Sequence, residues 1–145
     1  MGTTVMITGA SSGIGNATAR LFASNGWNVV ATMRDPSDGA DLVSDTTAVF
    51  ALDLLDSDSI NAAVAGAMER FGTIDVLVNN AGYGAYGPLE ATPMEVLRRQ
   101  FDVNVLGLAE VTKAVLPIMR TRRRGVIVNV SSVGGRMVFP FGTLY

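Results

Sequence analysis

The sequence holds 145 residues, 48% hydrophobic and 17% charged, enough apolar material for one ordered, cored domain and too much for a disordered tail. Its formal net charge of -2 offers no basic field for nucleic acid or an anionic membrane surface. With no Cys and no His, disulfides, thiolate zinc sites, cysteine nucleophiles and a serine–histidine hydrolase are excluded within this sequence, no metal site is expected, and proton transfer must fall to Tyr, Lys, Asp, Glu or Ser.

Runs dense in Val and Ile predict strands at 5–8, 29–33, 49–52, 76–79 and 126–130. They hardly alternate with polar residues, as expected of strands covered on both faces. A helix is predicted over 14–25, stopped by Gly26. Residues 35–45, rich in Asp, Gly and Ser, read as loop with at most a short helix. A second helix over 57–71 places Ile60, Val64, Met68 and Phe71 on one face, and Gly72 ends it. Thr92-Pro93-Met94-Glu95 then reads as a Thr cap, a first-turn Pro and a capping-box Glu. That helix is expected to bend near 104–107, to kink at Pro117, and to finish in a solvated cluster of Arg120, Arg122, Arg123 and Arg124. Strand and helix alternate throughout, which predicts a parallel sheet with crossover helices.

No apolar run approaches the ~20 residues needed to span a bilayer. The chain enters its first strand without a basic leader, and Met6 stands where a myristoylation signal needs Ser or Thr, so a cytoplasmic protein is expected.

The densest chemical signal is Thr8-Gly9-Ala10-Ser11-Ser12-Gly13-Ile14-Gly15, between the first strand and the first helix. Glycines there let the chain turn tightly and bring backbone N–H groups close to a pyrophosphate at a helix N-terminus. The last of them lets helix and strand pack closely. The strand–turn–helix context is what separates a dinucleotide site from an ordinary Gly-rich turn.

Three further motifs follow in order: Asn79-Asn80-Ala81-Gly82 after the fourth strand, Phe101-Asp102-Val103-Asn104-Val105 with Gly107 inside a helix, and Val126-Ile127-Val128-Asn129-Val130-Ser131-Ser132 along the fifth strand. Together with the glycine turn they resemble the short-chain dehydrogenase/reductase family, in its Thr-Gly-x-x-x-Gly-x-Gly branch, over essentially the whole chain. The resemblance implies a Rossmann-like doubly wound α/β fold with strand order 3-2-1-4-5. It also implies that residues 1–145 form the N-terminal part of a single NAD(P)-binding domain whose C-terminal strands lie beyond this sequence.

Carried over residue by residue, the family mechanism makes Tyr145 the general acid/base, thirteen residues after Ser132. Ser132, rather than Ser131, would hydrogen-bond the reacting oxygen, and Asn104 would help position a proton-relay water. Gly9, Ser11, Ser12, Gly13, Ile14 and Gly15 would cradle the dinucleotide phosphates. Asp53 would meet the adenine amino group, with Leu54 packed near the ring. Asn80, Ala81 and Gly82 would line the cofactor, while Asn79 ties strands together.

Family NAD enzymes carry an acid at the end of strand two, where this sequence has Met33 followed by Arg34. Arg34, helped by the Ser12 hydroxyl, therefore implies NADP. NAD remains the alternative, because Asp35 can pair with Arg34 or address the ribose itself.

The resemblance implies hydride transfer between a ketone or aldehyde and an alcohol. The small-molecule substrate would be apolar if Tyr83, Tyr86, Met137, Val138, Phe139 and Phe141 line its pocket, and the full-length parent is expected to be a homo-oligomer. The family lowers its Tyr pKa, ordinarily near ~10, with a Lys one helical turn later, and the sequence stops at Tyr145. A partial enzyme, inactive by itself, is the first expectation. A noncatalytic dinucleotide-binding module is the alternative, and an epimerase or dehydratase a third.

Overall fold

A computed structural model describes residues 2–137 and 139–142. Its framework is a parallel five-stranded sheet: β1 (Thr4–Thr8), β2 (Asn28–Met33), β3 (Thr47–Ala51), β4 (Val76–Asn79) and β5 (Val126–Asn129), in the order β3-β2-β1-β4-β5. The predicted Rossmann-like order is the observed one. β1 is buried along its whole length and pairs on both sides, Val5 standing opposite Val29 of β2 and Val76 of β4.

Alternation along β1 divides its apolar run between two cores. Met6 points to a core shared with Ile60, Val64 and Phe71 of α2 (Ser57–Phe71) and Val111, Val115 and Met119 of α4 (Leu108–Arg122). Val5 and Ile7 join the opposite core, built with Ala19 of α1 (Gly13–Ser24), Phe22 and Trp27. Both faces of the central strands are thus covered, which is why their sequences lack a polar alternation.

The second helix has the predicted bounds. The Asp56 carboxylate accepts the N–H groups of Asp58 and Ser59 at its start, and Gly72, with φ 73°, closes its end. The predicted loop at 35–45 contains a 3₁₀ segment, Pro36–Leu42.

The start of the third helix differs from expectation. α3 (Met94–Phe101) begins after Pro93, and no side chain caps it. Thr92 and Pro93 are both extended, and the Thr92 hydroxyl donates instead to the Pro88 carbonyl at 2.9 Å, so no capping box forms. The expected bend is a π-helical turn, Asp102–Gly107, between α3 and α4, and α4 stays helical through Pro117.

The arginine cluster is more than a solvated helix end. Asp75, just before β4, accepts the Thr4 N–H at 3.0 Å and lies 3.1 Å from Arg124 and 3.4 Å from Arg122. This carboxylate is only 9% exposed, so it draws the end of α4 to the foot of the sheet. Among the described residues no helix is long and apolar enough to cross a membrane.

Candidate functional site

The C-terminal ends of the strands carry the predicted motifs, and Thr8 joins two of them. Its buried hydroxyl oxygen accepts the N–H groups of both Asn80 and Ala81, each at 3.0 Å. Asn80 answers with its side-chain amide, donating to the carbonyls of Thr8 at 3.0 Å and Gly9 at 3.2 Å. The glycine turn is therefore pinned to the loop after β4 before any ligand is considered.

Two glycines are required by this packing. Gly9 has φ +69°, and a Cβ on it would lie 2.8 Å from the Ala81 Cα. A Cβ on Gly15 would lie 2.2 Å from the Gly9 carbonyl oxygen, backbone against backbone. Gly13 differs: a Cβ there would meet nothing within 4 Å, so the first turn of α1 faces open space. Ser12 occupies the cap position of that helix, yet its side chain makes no capping hydrogen bond. The unpaired first-turn N–H groups and the positive end of the helix dipole are a ready anion site.

That helix end borders a cavity of about 550 Å³. Gly9, Ser11, Ser12 and Ile14 form one wall, and Asn80, Ala81, Gly82 and Tyr83 another. Met33 and Arg34 contribute from the end of β2, Leu52 to Leu55 from the loop after β3, and Arg99 and Val103 from the helical run after β4. Gly13 and Gly15 do not line the cavity; they shape the turn behind it. The π-helical turn sits against the loop after β3 closely enough that a Cβ on Gly107 would come 2.5 Å from the Leu54 carbonyl oxygen.

Charge around the cavity is uneven. The Asp35 carboxylate accepts from Ser37 twice, from its hydroxyl at 2.7 Å and its N–H at 2.9 Å. These bonds hold its pKa below the ordinary Asp value, the hydroxyl contributing most. Asp35 thus caps its own 3₁₀ segment, and among the described residues no ion pair engages Arg34. Asp53 accepts the Leu55 N–H at 3.0 Å, which fixes the loop on which Leu54 is buried.

The candidates for chemistry are less completely assembled. Asn104 lies in the π-helical turn, its Oδ1 accepting the Tyr83 N–H at 3.1 Å and its Nδ2 donating to the Tyr83 carbonyl at 2.7 Å. The Ser132 Oγ accepts the Gly134 N–H at 3.0 Å, which leaves its own proton available to a ligand, but Ser132 does not line the cavity. Tyr145 lies outside the described residues, as does Val138. Asn79 ties strands as expected, its amide donating to the Asn129 Oδ1 at 2.9 Å and the Thr112 hydroxyl at 3.0 Å. Tyr83 reaches the cavity, while Tyr86, Met137, Phe139 and Phe141 are exposed beyond it. The Gly87 N–H donates to the Phe141 carbonyl at 2.9 Å and so joins the two loops that carry them. Arg99 is a lining residue outside the motifs, and Val103 lies within one but was given no role there; their one-turn spacing on a helix was the available signal.

An open helix N-terminus after the first strand of a 3-2-1-4-5 parallel sheet defines the nucleotide-binding edge of a doubly wound α/β protein. Residues 3–145 match the short chain dehydrogenase family, and the chain belongs to it. That family uses NAD or NADP. An uncharacterized oxidoreductase from Schizosaccharomyces pombe is 46% identical over 114 residues, covering 78% of this chain and 48% of its own length. A 3-ketodihydrosphingosine reductase from Bacteroides thetaiotaomicron is 40% identical over 141 residues, covering 97% of this chain and 51% of its own. A short-chain dehydrogenase structure from Streptomyces avermitilis superposes with a TM-score of 0.93 at 39% identity, covering 99% of this chain and 55% of the other. The chain spans about half the length of the curated relatives it matches.

Proposed function

We propose that residues 1–145 are the N-terminal part of a single dinucleotide-binding domain in an NADP-dependent oxidoreductase that interconverts a ketone or aldehyde and an alcohol. The observation that carries this reading is the cavity running from the open N-terminus of α1 to Arg34, a cation that Asp35 leaves unpaired. The residues present fit a phosphorylated dinucleotide: a tight turn in which Gly9 and Gly15 leave no room for a Cβ, a helix end open to an anion, and a cation beyond it.

In this reading the α1 N-terminus and the turn from Gly9 to Gly15 hold the pyrophosphate. Arg34 and the Ser12 hydroxyl hold the 2′-phosphate. Asp53 addresses the adenine amino group, Leu54 packs near the ring, and Asn80, Ala81 and Gly82 line the remainder. NADP, when bound, supplies or accepts the hydride. The Tyr145 hydroxyl donates a proton to the carbonyl oxygen during reduction and takes one from the alcohol during oxidation, while Ser132 hydrogen-bonds the same oxygen. Asn104 helps position the relay water, and its place in a π-helical turn supports this, since such turns recur at functional sites.

The exposed Tyr86, Phe139 and Phe141 near the loop link at Gly87 favour an apolar substrate, and the relative named for a 3-keto compound agrees in chemistry. The whole protein is read as a cytoplasmic homo-oligomer.

The test is titration of the full chain with NADPH and NADH. Tighter binding of NADPH is expected, and binding of neither would remove the proposal. In the full-length parent, turnover of apolar ketones should vanish in Tyr145→Phe with NADPH affinity nearly unchanged, whereas undiminished turnover would overturn the role given to Tyr145.

A further inference from the structure

Arg99 is a cation at the cavity for which the dinucleotide reading has no assignment. It lies on α3 one turn before Val103, and both line the cavity, as do Leu54 and Leu55. Glu95 stands four residues before it and Asp102 three after, spacings at which opposite charges on a helix commonly pair. Arg99 pairs with neither. The ion pairs among the described residues are Arg20–Asp41, Arg122–Asp75 and Arg124–Asp75. Its helical run is seated against the loop after β3, where the missing Cβ of Gly107 admits the Leu54 carbonyl. A cavity lined by Leu54, Leu55 and Val103 and also by Arg99, which makes no ion pair among the described residues, suits a flat, π-faced ring, because guanidinium is planar, weakly hydrated and stacks on aromatic faces.

We infer that Arg99 holds the adenine ring of the dinucleotide by stacking its guanidinium on it, an assignment that rests on the dinucleotide reading above. Its role differs from that given to Arg34. The 2′-phosphate distinguishes NADP from NAD, whereas adenine is common to both, so Arg99 raises affinity for the two cofactors alike and makes no choice between them.

The experiment measures dissociation constants of the full chain for NADPH, NADH, 5′-AMP, 2′,5′-ADP and nicotinamide mononucleotide, in wild type, Arg99→Ala, Arg99→Lys and Arg34→Ala. Arg99→Ala is expected to weaken the four adenine ligands by a similar factor of about five, the size of one cation–π contact. Nicotinamide mononucleotide should be unaffected. Arg99→Lys should recover only part of the loss, since it keeps the charge without the plane. Unchanged affinities in Arg99→Ala, a loss confined to the 2′-phosphorylated ligands, an equal loss for nicotinamide mononucleotide, or full recovery by Lys would each overturn the assignment. Wild-type binding of none of the ligands would overturn the dinucleotide reading together with it. Selective weakening of NADPH and 2′,5′-ADP by Arg34→Ala beside an inert Arg99→Ala would overturn the Arg99 assignment alone.

Discussion

Asn104 clasps the backbone of Tyr83 from both sides, accepting its N–H at 3.1 Å and donating to its carbonyl at 2.7 Å. This two-bond clasp links the π-helical turn to the loop after β4, and it holds Tyr83 at the cavity. Asn104→Ala is expected to cost about 1 kcal/mol, the net worth of partly exposed hydrogen bonds, and to weaken NADPH binding as the loop loosens. Urea unfolding with and without NADPH measures both effects. Wild-type values in both would show that the clasp is dispensable.

Gly15 is the least replaceable residue of the turn. An added methyl would meet the Gly9 carbonyl oxygen, which is backbone and cannot step aside cheaply, at 2.2 Å, and the Asn80 side-chain Nδ2 at 2.6 Å. Gly15→Ala should lose about 3 kcal/mol of stability, at the upper end of overpacking costs. Gly135→Ala, with nothing within 4 Å of its added methyl, is the matched control and should unfold like wild type.

Arg34 carries the cofactor preference in the proposed reading. Arg34→Ala should lower NADPH affinity about tenfold, the loss of one charge-assisted hydrogen bond, and leave NADH nearly untouched. Equilibrium titration of both nucleotides decides it, and an equal loss for each would remove Arg34 from the 2′-phosphate.

The neighbouring Asp35 gives a pH signature. Its folded carboxyl titrates below the ordinary Asp value because Ser37 hydrogen-bonds the charged form. The unfolded chain therefore takes up this proton first as pH falls. The cap on the 3₁₀ segment contributes fully above the usual carboxylate range and fades as pH drops through the lowered folded pKa. A titration of the Ser37 amide resonance should show its midpoint below that of an unstructured Asp peptide, and a midpoint at or above the peptide value would contradict the cap.

Asp75 holds the foot of the sheet. Asp75→Ala strips an acceptor from the Thr4 N–H and a counter-charge from Arg122 and Arg124. A loss of about 2 kcal/mol is expected, less than for a fully buried pair because the arginines reach solvent. Thermal melts of Asp75→Ala beside Arg123→Ala, which removes a cluster member outside these ion pairs, separate the link from general charge effects.

The sheet was legible because β-branched runs sit at the spacing of βαβ units, and α2 because its apolar face repeats with helical period. Thr92 misled because a hydroxyl before Pro satisfies the cap pattern, while its preferred acceptor, the Pro88 carbonyl, depends on loop shape. The roles of Arg122 and Arg124 were hidden for another reason. Their partner lies 49 positions from Arg124 in the chain, and no local pattern announces a contact made by folding the sheet. In the site, the glycine turn announced itself, whereas Arg99 required knowing that a π-helical turn and Gly107 bring its helix against the loop after β3.

The Thr8 hydroxyl reaches 72 residues along the chain to receive the Asn80 N–H. A glycine motif that looks local is thus completed only after a long loop has closed, with β2, β3 and α2 lying between its two halves. Contacts of such high sequence separation slow folding and make the cavity an all-or-none product of the finished sheet. A ribosome-bound chain that has emerged only as far as α2 would display every residue of the turn and still have nowhere to put a dinucleotide.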